Sequence, residues 1–253
     1  MSDFDELAAL ETAWRHFRQH PEWYAKGVVA GVAGLSRLIM TRLNRLVLDG
    51  IDRFEAAVAR RDRGLLTFSN HVSLFDDPWL LSCFGLPSYE RLRWVAADAR
   101  NFFDTKAKGL FFSAGKVVPV VRGLGLDQPG FRFLSERLRA GDWVHLFPEG
   151  GRTRDIGARI KTPFKPGIGK LIADAQPVVL PFFHLGMEAV LPVGARVPGH
   201  GHTVTVHFGE PTVFDRARVQ SLGGTLEGRP QIAAITEWTQ RELIDMERRY
   251  RRC

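Results

Sequence analysis

The sequence predicts an α/β fold, an αβα sandwich around a largely parallel mixed sheet. Short runs rich in β-branched and aromatic residues alternate with segments of helical periodicity, as in strand–helix–strand units. Some runs, such as VVLPFF at 178–183, are apolar throughout, which is typical of strands covered by helices on both faces. The chain has 253 residues, 45% of them hydrophobic, and no linker-like stretch divides it, so a single large core is expected.

The first segment of the chain predicts helices at a membrane. Its most apolar stretch, Val28–Met40, contains Arg37 and is shorter than the roughly 20 apolar residues that a spanning helix needs. Aromatic residues of the kind found at membrane interfaces stand just upstream, at Trp14, Trp23 and Tyr24. Residues 12–48 are therefore predicted to form one or two membrane-associated helices that lie on one leaflet or dip into it. A pair of soluble helices packed on the core is the alternative.

Six strands and four helices are predicted after this segment. The strands are Leu65–Ser69, Leu92–Ala96, Val117–Val121, Trp143–Phe147, Val178–Phe182 and Thr203–Phe208. The helices are Pro78–Phe84, Pro129–Ala140, Gly167–Ala175 and Gln231–Tyr250. The run TVTVHF at 203–208 alternates polar and apolar residues, which predicts a strand near the edge of the sheet with one wet face.

Charge and composition narrow the possible partners. The formal net charge of +7 favours anionic partners, either nucleic acid or anionic lipid. No nucleic-acid-binding motif is present, so no nucleic-acid partner is predicted. The two cysteines provide no disulfide framework and fit a reducing compartment. His200, His202 and His207 lack zinc-site spacing and are interpreted as solvated, so no metal site is predicted.

The run SNHVSLFDDPWL at 69–80 contains a candidate acid–base pair. His71 follows a predicted strand, and ligands bind at the carboxyl ends of the strands in open α/β sheets. If Asp76 folds back onto one imidazole nitrogen, His71 becomes a competent base, while Asp77 is predicted to cap the next helix. The chain offers no G-x-S-x-G serine or neighbouring cysteine, so His71 would activate a hydroxyl group of the substrate. A solvated histidine and a capping aspartate are the alternative interpretation.

Two further runs predict a phosphate site at the same edge of the sheet. In DWVHLFPEGGRTRD, Gly150 and Gly151 permit tight turns that bring backbone N–H groups close to a ligand. Arg152 and Arg154 follow, and the planar guanidinium suits phosphate oxygens. In SAGKVVPVVRG, another strand delivers Arg122. Surface turns with solvated arginines are the alternative, although an acid such as Glu149 is not expected in an ordinary basic patch.

Four ordered blocks together resemble the glycerolipid (lysophospholipid) acyltransferase family. They are N-H-x-S-x-x-D at Asn70–Asp76, G-x-x-x-P-V-x-R at Gly115–Arg122, F-P-E-G-x-R at Phe147–Arg152, and an apolar strand ending in proline at Val178–Pro181. The sequence that contains and connects these blocks, roughly residues 20–215, is most similar to the tafazzin branch of this family. The Gly151–Arg154 run departs from that branch and is nearer to acyl-CoA-dependent relatives.

The resemblance implies an enzyme that transfers a fatty acyl group to the free hydroxyl of a lysophospholipid. It implies a membrane-anchoring region over 1–48 and an acyltransferase domain over 49–253, with His71 as general base and Asp76 as its partner. The implied substrate-binding residues are Asn70, Ser73, Arg122, Glu149, Gly150, Gly151 and Arg152. No cofactor or metal is implied. The acyl donor is either acyl-CoA or a phospholipid, as in tafazzin-type transacylation, and a lipid hydrolase or a non-catalytic lipid-binding protein are the alternatives.

The expected location is a membrane surface. The acidic N-terminus lacks the basic and apolar regions of a signal peptide, so the chain is expected to stay where it is made. A monotopic protein is therefore predicted, on the cytoplasmic face of the inner membrane if the source is bacterial. Its predicted partners are phospholipid and lysophospholipid substrates and the membrane surface, and no sequence feature sets an oligomeric state.

Overall fold

The computed structural model describes residues 3–17, 20–85, 88–155, 157–223 and 228–251. These residues form an eight-stranded sheet in the order β1-β7-β6-β2-β5-β3-β4, with β8 paired to β6. The strands are β1 Arg45–Asp49, β2 Leu65–Ser69, β3 Trp94–Asp98, β4 Val117–Val120, β5 Trp143–Leu146, β6 Val178–Leu185, β7 Thr203–Phe208 and β8 Thr212–Val213. Strands β6, β2, β5, β3 and β4 are mutually parallel, and β7 and β8 run antiparallel to β6. The predicted mixed, largely parallel sheet is confirmed.

Helices and short turns cover this sheet. The helices are α1 Asp3–His16, α2 Glu22–Arg37, α3 Ile51–Ala59, α4 Ala99–Phe102, α5 Lys106–Ala114, α6 Pro129–Arg139, α7 Gly167–Ala175, α8 Met187–Val190, α9 Arg216–Gly223 and α10 Arg229–Tyr250. Two π-helical turns, Leu38–Leu43 and Asp76–Leu80, and a 3-10 turn, Leu81–Cys83, complete the set. None of the described helices is both long enough and apolar enough to cross a bilayer.

The two faces of the sheet bury separate apolar clusters, which makes the fold a three-layer αβα sandwich. Along β2, Leu66 and Phe68 join one cluster while Leu65 joins the other, because successive side chains of a strand point to opposite faces. Helices α1, α6, α7 and α10 pack on the first face. Helix α3, α8 and the two π-helical turns pack on the second. The predicted layer architecture is therefore confirmed.

The structure corrects the prediction for the N-terminal segment. Residues 45–48, predicted as helix, belong to β1, which pairs in parallel with β7 and places β7 one strand in from the edge. Trp14 lies against Phe17 and Phe133 at the apolar cluster, so it is part of the globular core. Trp23, by contrast, is 75% exposed. Among the described residues of this segment, the exposed aromatic and apolar side chains that the membrane prediction requires therefore lie on α2 and just after it.

Other local predictions differ from the structure where tertiary contacts intervene. Strand β3 begins at Trp94, two residues later than predicted, and the predicted helix over Pro78–Phe84 is replaced by the π-helical and 3-10 turns. Asp77 does not cap a helix, since its carboxylate binds the guanidinium of Arg93. His207 is not solvated: Nδ1 lies 2.9 Å from Asp49 Oδ2, and the ring stacks on Tyr250.

Candidate active site

The carboxyl ends of four adjacent parallel strands form a rim that carries the predicted motifs. His71 follows β2, Glu149 follows β5, Asp98 ends β3 and Arg122 follows β4. Since these strands are neighbours and run in the same direction, their ends meet at one edge of the sheet. The fold thus brings together residues that lie far apart in the sequence.

His71 and Asp76 form a hydrogen-bonded pair on this rim. Asp76 Oδ2 lies 2.9 Å from His71 Nδ1, and it also accepts the backbone N–H groups of Val72 at 2.7 Å and Ser73 at 2.9 Å. The Asp76 side chain is fully buried, whereas the His71 side chain is 17% exposed. An ionised carboxylate can only accept, so Nδ1 of His71 carries the proton and Nε2 keeps a lone pair. That arrangement makes Nε2 a proton acceptor.

The surroundings of Asp76 favour its ionised form. Burial by itself would raise the pKa of this carboxyl, but the imidazoles of His184 and His71 and the N–H of Ser73 outweigh it and lower the pKa below its usual value. Asp76 is therefore ionised at neutral pH. It can stabilise the imidazolium that forms when His71 takes up a proton.

The segment after β5 fixes His71 on its other sides. The Phe147 ring stacks on the His71 imidazole with ring centroids 4.1 Å apart and an interplanar angle of 18°. The N–H of Thr153 donates to the His71 carbonyl at 2.8 Å, and the N–H of His71 donates to Glu149 Oε1 at 2.7 Å. The ring and backbone of His71 are therefore both held in place before any substrate binds, as efficient general base catalysis requires.

Glu149 is almost completely buried and faces the protein interior. Its Oε1 accepts the N–H of His71, and its Oε2 accepts the N–H of Lys161 at 2.7 Å. Burial raises the pKa of this carboxyl to about 7, although those two hydrogen bonds act in the opposite direction. Glu149 thus joins three loops below the rim.

The raised pKa of Glu149 predicts a pH-dependent stability. A carboxyl whose pKa is higher in the folded state contributes stability that is complete below its unfolded pKa and lost as the pH rises through its folded pKa. For Glu149 this window runs from 4.5 to about 7. We expect Glu149→Gln, which does not titrate, to become steadily more stable relative to the wild type across that window, as measured by urea unfolding at each pH. Glutamine also lacks one of the two carboxylate acceptors, which changes the free energy of unfolding by an amount that is independent of pH. If the free energies of unfolding of the wild type and of Glu149→Gln changed in parallel with pH, the raised pKa of Glu149 would be wrong.

Asn70 and Ser73, both predicted to bind substrate, are buried with only 1% exposure and bond within the protein. The Asn70 side chain donates to the His184 carbonyl at 2.9 Å and accepts the His184 N–H at 3.0 Å, which extends the β2–β6 pairing beyond the end of β2. Ser73 Oγ accepts the N–H of Phe75 at 3.3 Å. Both side chains hold the loop that carries His71.

Arg122 lies beside the predicted glycine turn. Its side chain is 58% exposed, and its Nε is 3.2 Å from Asp98 Oδ2. A Cβ atom placed on Gly151 would lie 3.5 Å from Arg122 Nη1, so the guanidinium flanks this turn. Gly150 adopts φ +71°, a conformation that favours glycine. Arg152 continues from the turn with a partly exposed side chain.

Two residues of the site have roles that the sequence does not reveal. Asp98, which orients Arg122, also accepts the N–H of Arg100 at 3.1 Å, and its only signal is an acid at the end of an apolar strand. His184, which is buried on β6, lies 3.8 Å from Asp76 Oδ2. Among the described residues, no group of three or more His, Cys, Asp or Glu side chains is placed to hold a metal ion.

Comparisons with known proteins identify the family of this chain. The family model described as Acyltransferase matches residues 51–184. Tafazzin of Drosophila melanogaster is 35% identical over 199 residues, which is 75% of this chain and about half, 52%, of that protein. N-acylphosphatidylethanolamine synthase of Arabidopsis thaliana is 34% identical over 201 residues, covering 74% of this chain and 70% of the plant protein.

A solved structure shares the fold. The 1-acyl-sn-glycerophosphate acyltransferase PlsC of Thermotoga maritima superposes with a TM-score of 0.56 and 18% sequence identity. The superposition covers 97% of this chain and 98% of the PlsC chain. At this level of identity the likeness concerns the architecture of the chain.

Proposed function

Since this chain belongs to the acyltransferase family, we propose that it transfers a fatty acyl group to the free hydroxyl of a lysophospholipid. The observation that carries this proposal is the His71–Asp76 pair at 2.9 Å, on the rim that also carries Arg122 and the glycine turn. The relatives named tafazzin and N-acylphosphatidylethanolamine synthase support a phospholipid substrate.

The reaction uses His71 first as a base and then as an acid. Nε2 takes the proton from the lysophospholipid hydroxyl while the oxygen attacks the acyl carbonyl carbon of the donor. A new ester C–O bond forms and the bond from the acyl carbon to the leaving group breaks. The leaving sulfur or oxygen then receives the proton from His71. Asp76 stabilises the intervening imidazolium through the hydrogen bond at Nδ1.

The arginine side of the rim binds the acceptor phosphate in this proposal. Asp98 holds Arg122 through Nε, and Nη1 lies against Gly151, so the guanidinium is oriented toward the turn. Arg152 and the backbone N–H groups of the turn complete the phosphate contacts. A phosphate held there positions the glycerol hydroxyl near Nε2, and such positioning supplies much of the rate. Asn70, Ser73 and Glu149 are buried and keep the loops around His71 in register.

Replacing Arg122 or Arg152 with lysine should lower kcat/KM for lysophospholipid acceptors by roughly 10–100-fold, because a charge-assisted hydrogen bond contributes on the order of 1.5–3 kcal/mol. Lysine keeps the charge but loses the planar fork. Arg132→Lys on α6 is the matched control, since Arg132 is also exposed and lies 3.7 Å from an aspartate. An acceptor without phosphate should be poor for all variants. Equal losses on acceptors with and without phosphate would show that these arginines are structural.

A two-donor assay tests the proposed activity. Purified protein is incubated with labelled lysophospholipid and either acyl-CoA or a diacyl phospholipid, and the labelled diacyl product is measured. Labelled diacyl product formed with acyl-CoA indicates a thioester donor. Labelled diacyl product formed with diacyl phospholipid, in the absence of acyl-CoA, indicates transacylation. Free fatty acid without labelled diacyl product would indicate a hydrolase and would contradict acyl transfer, as would the absence of any product.

The exposed surface of α2 supports association with one membrane leaflet. On α2 the exposed residues Trp23, Gly27, Gly31 and Gly34, with Leu38 just after the helix, form an uncharged arc, and the exposed Lys26 and Arg37 lie beside it. Ser36 on the buried side donates to the Pro78 carbonyl at 2.9 Å, which joins the helix to the turn that begins at Asp76. Membrane attachment through this arc would place the catalytic rim at the lipid surface.

Leu38→Asp should reduce recovery of the protein with anionic vesicles several-fold, because it places a charge within the apolar arc, where Leu38 is 50% exposed. Val213→Asp is the matched control. Val213 is 40% exposed and pairs with Val178 at the amino end of β6, away from the catalytic rim. Sedimentation with vesicles measures the effect, and equal recovery of the two variants would contradict attachment through α2.

A further inference from the structure

His184 lies near the carboxyl end of β6, the strand next to β2, and contacts the catalytic loop from there. Its side chain is completely buried, and Nε2 lies 3.0 Å from the Asn70 carbonyl oxygen and 3.8 Å from Asp76 Oδ2. A carbonyl oxygen can only accept a hydrogen bond, so Nε2 carries a proton whether the ring is neutral or charged. The Nε2–H group of His184 therefore lies between the carbonyl of Asn70, which precedes His71, and the carboxylate of Asp76, which binds His71.

The position of the ring is fixed by its own backbone. The two hydrogen bonds between the Asn70 amide and the His184 backbone, at 2.9 and 3.0 Å, hold β6 against the loop. A separation of 3.8 Å from Asp76 is too long for a hydrogen bond but short enough for strong electrostatic attraction in a buried site. Asp76 Oδ1 has no hydrogen-bond partner among the described residues, so Oδ2 and its neighbours must stabilise the charge.

We propose that His184 is a positioning residue for acyl transfer, whose Nε2–H holds the Asn70 carbonyl and keeps Asp76 ionised beside His71. This inference rests on the proposed function and adds a third group to the His71–Asp76 pair. The lowered pKa of Asp76, for which the His184 imidazole is a cause, is consistent with it.

Other ionisable groups also face this cluster and must remain unchanged in a test. They are His71 on the loop, His145 on β5, Glu149 after β5, and the Asp77–Arg93 pair beside the π-helical turn. Two substitutions at His184 leave all of them in place. Glutamine has its amide nitrogen the same number of bonds from Cα as Nε2 of histidine, whereas asparagine has it at the position of Nδ1.

The test follows the His71–Asp76 pair with two readouts. One is the acid limb of the pH profile of kcat/KM, and the other is the titration of His71 by ¹⁵N NMR of labelled histidine, assigned with His71→Ala. Without the Nε2–H donor of His184 beside Asp76, the His71–Asp76 pair takes up a proton at higher pH. We therefore expect His184→Asn to move both readouts to higher pH by about one unit, and His184→Gln to stay close to the wild type.

The NMR readout separates this inference from the proposed function. If the wild type transfers no acyl group, the proposed function fails, while the titration of His71 still shows whether His184 acts on the pair. The wild-type spectrum provides a test that needs no folded variant, because His184 must carry a proton on Nε2. A bare Nε2 on His184, an unshifted His71 titration in His184→Asn, or an equal shift in His184→Gln would overturn the proposal.

Discussion

His71→Ala should lower kcat/KM for acyl transfer by about 10³-fold or more while the protein stays folded. This magnitude follows from the contribution of a general base, which is commonly 10²–10⁴-fold. The imidazole is 17% exposed, so its removal leaves no closed cavity. Steady-state kinetics with labelled lysophospholipid measures the loss, and thermal unfolding checks that the variant folds.

The chain contains a matched control for this variant. His207 Nδ1 lies 2.9 Å from Asp49 Oδ2 and the His207 side chain is 16% exposed, so this histidine matches His71 in partner distance and exposure, while Asp49 is 61% exposed and Asp76 is buried. It stands on β7, separated from β2 by β6. His207→Ala should therefore retain activity within a few-fold of the wild type. If His71→Ala and His207→Ala were equally active, the assignment of His71 as the base would be wrong.

Asp76→Asn should reduce kcat/KM by a factor on the order of 10³–10⁴, comparable to loss of the orienting carboxylate in serine proteases. The asparagine oxygen can occupy the place of Oδ2 and accept from His71 Nδ1, Val72 N and Ser73 N, so the loop can keep its shape. The substitution therefore removes mainly the negative charge that stabilises the imidazolium. Pre-steady-state kinetics should show a slower chemical step with little change in acceptor affinity.

Asp49→Asn provides the corresponding control, because it removes the carboxylate of the His207 pair. That variant should keep its activity. Wild-type rates for Asp76→Asn would show that the charge of Asp76 has no part in the reaction, even if the hydrogen bond to His71 were intact.

Local sequence patterns predict much of the fold. Strands β2 and β7 and helix α7 lie within their predicted bounds, because continuous apolar runs, polar–apolar alternation and helical periodicity are strong local signals. Strand β1 has only five residues and directly follows a long apolar helical segment, so its local pattern continues that of the helix. These residues form a strand because they pair with β7, which lies far away in the sequence.

The site is predictable in its residue types but less so in the directions of its side chains. The motif that contains Glu149 predicts an acid beside the glycine turn, but the carboxylate turns inward because the N–H of Lys161, twelve residues later, approaches it. Asp77 precedes a proline, as a capping residue often does, yet it pairs with Arg93, which directly precedes β3. His184 reaches Asn70 across 114 residues of sequence, and no local pattern encodes that contact.

The convergence of donors on Asp76 Oδ2 sets a length constraint on the catalytic loop. The imidazole of His71 and the backbone N–H groups of Val72 and Ser73 all meet one oxygen, so residues 71–76 close a small ring. An insertion of one residue within this ring would separate the histidine from its carboxylate. The connections between the motif-bearing strands are longer and include helices α5 and α6, and a change in the length of a long connection costs little. The spacing from histidine to aspartate is therefore fixed by geometry, whereas the distances between motif blocks are free to vary in length.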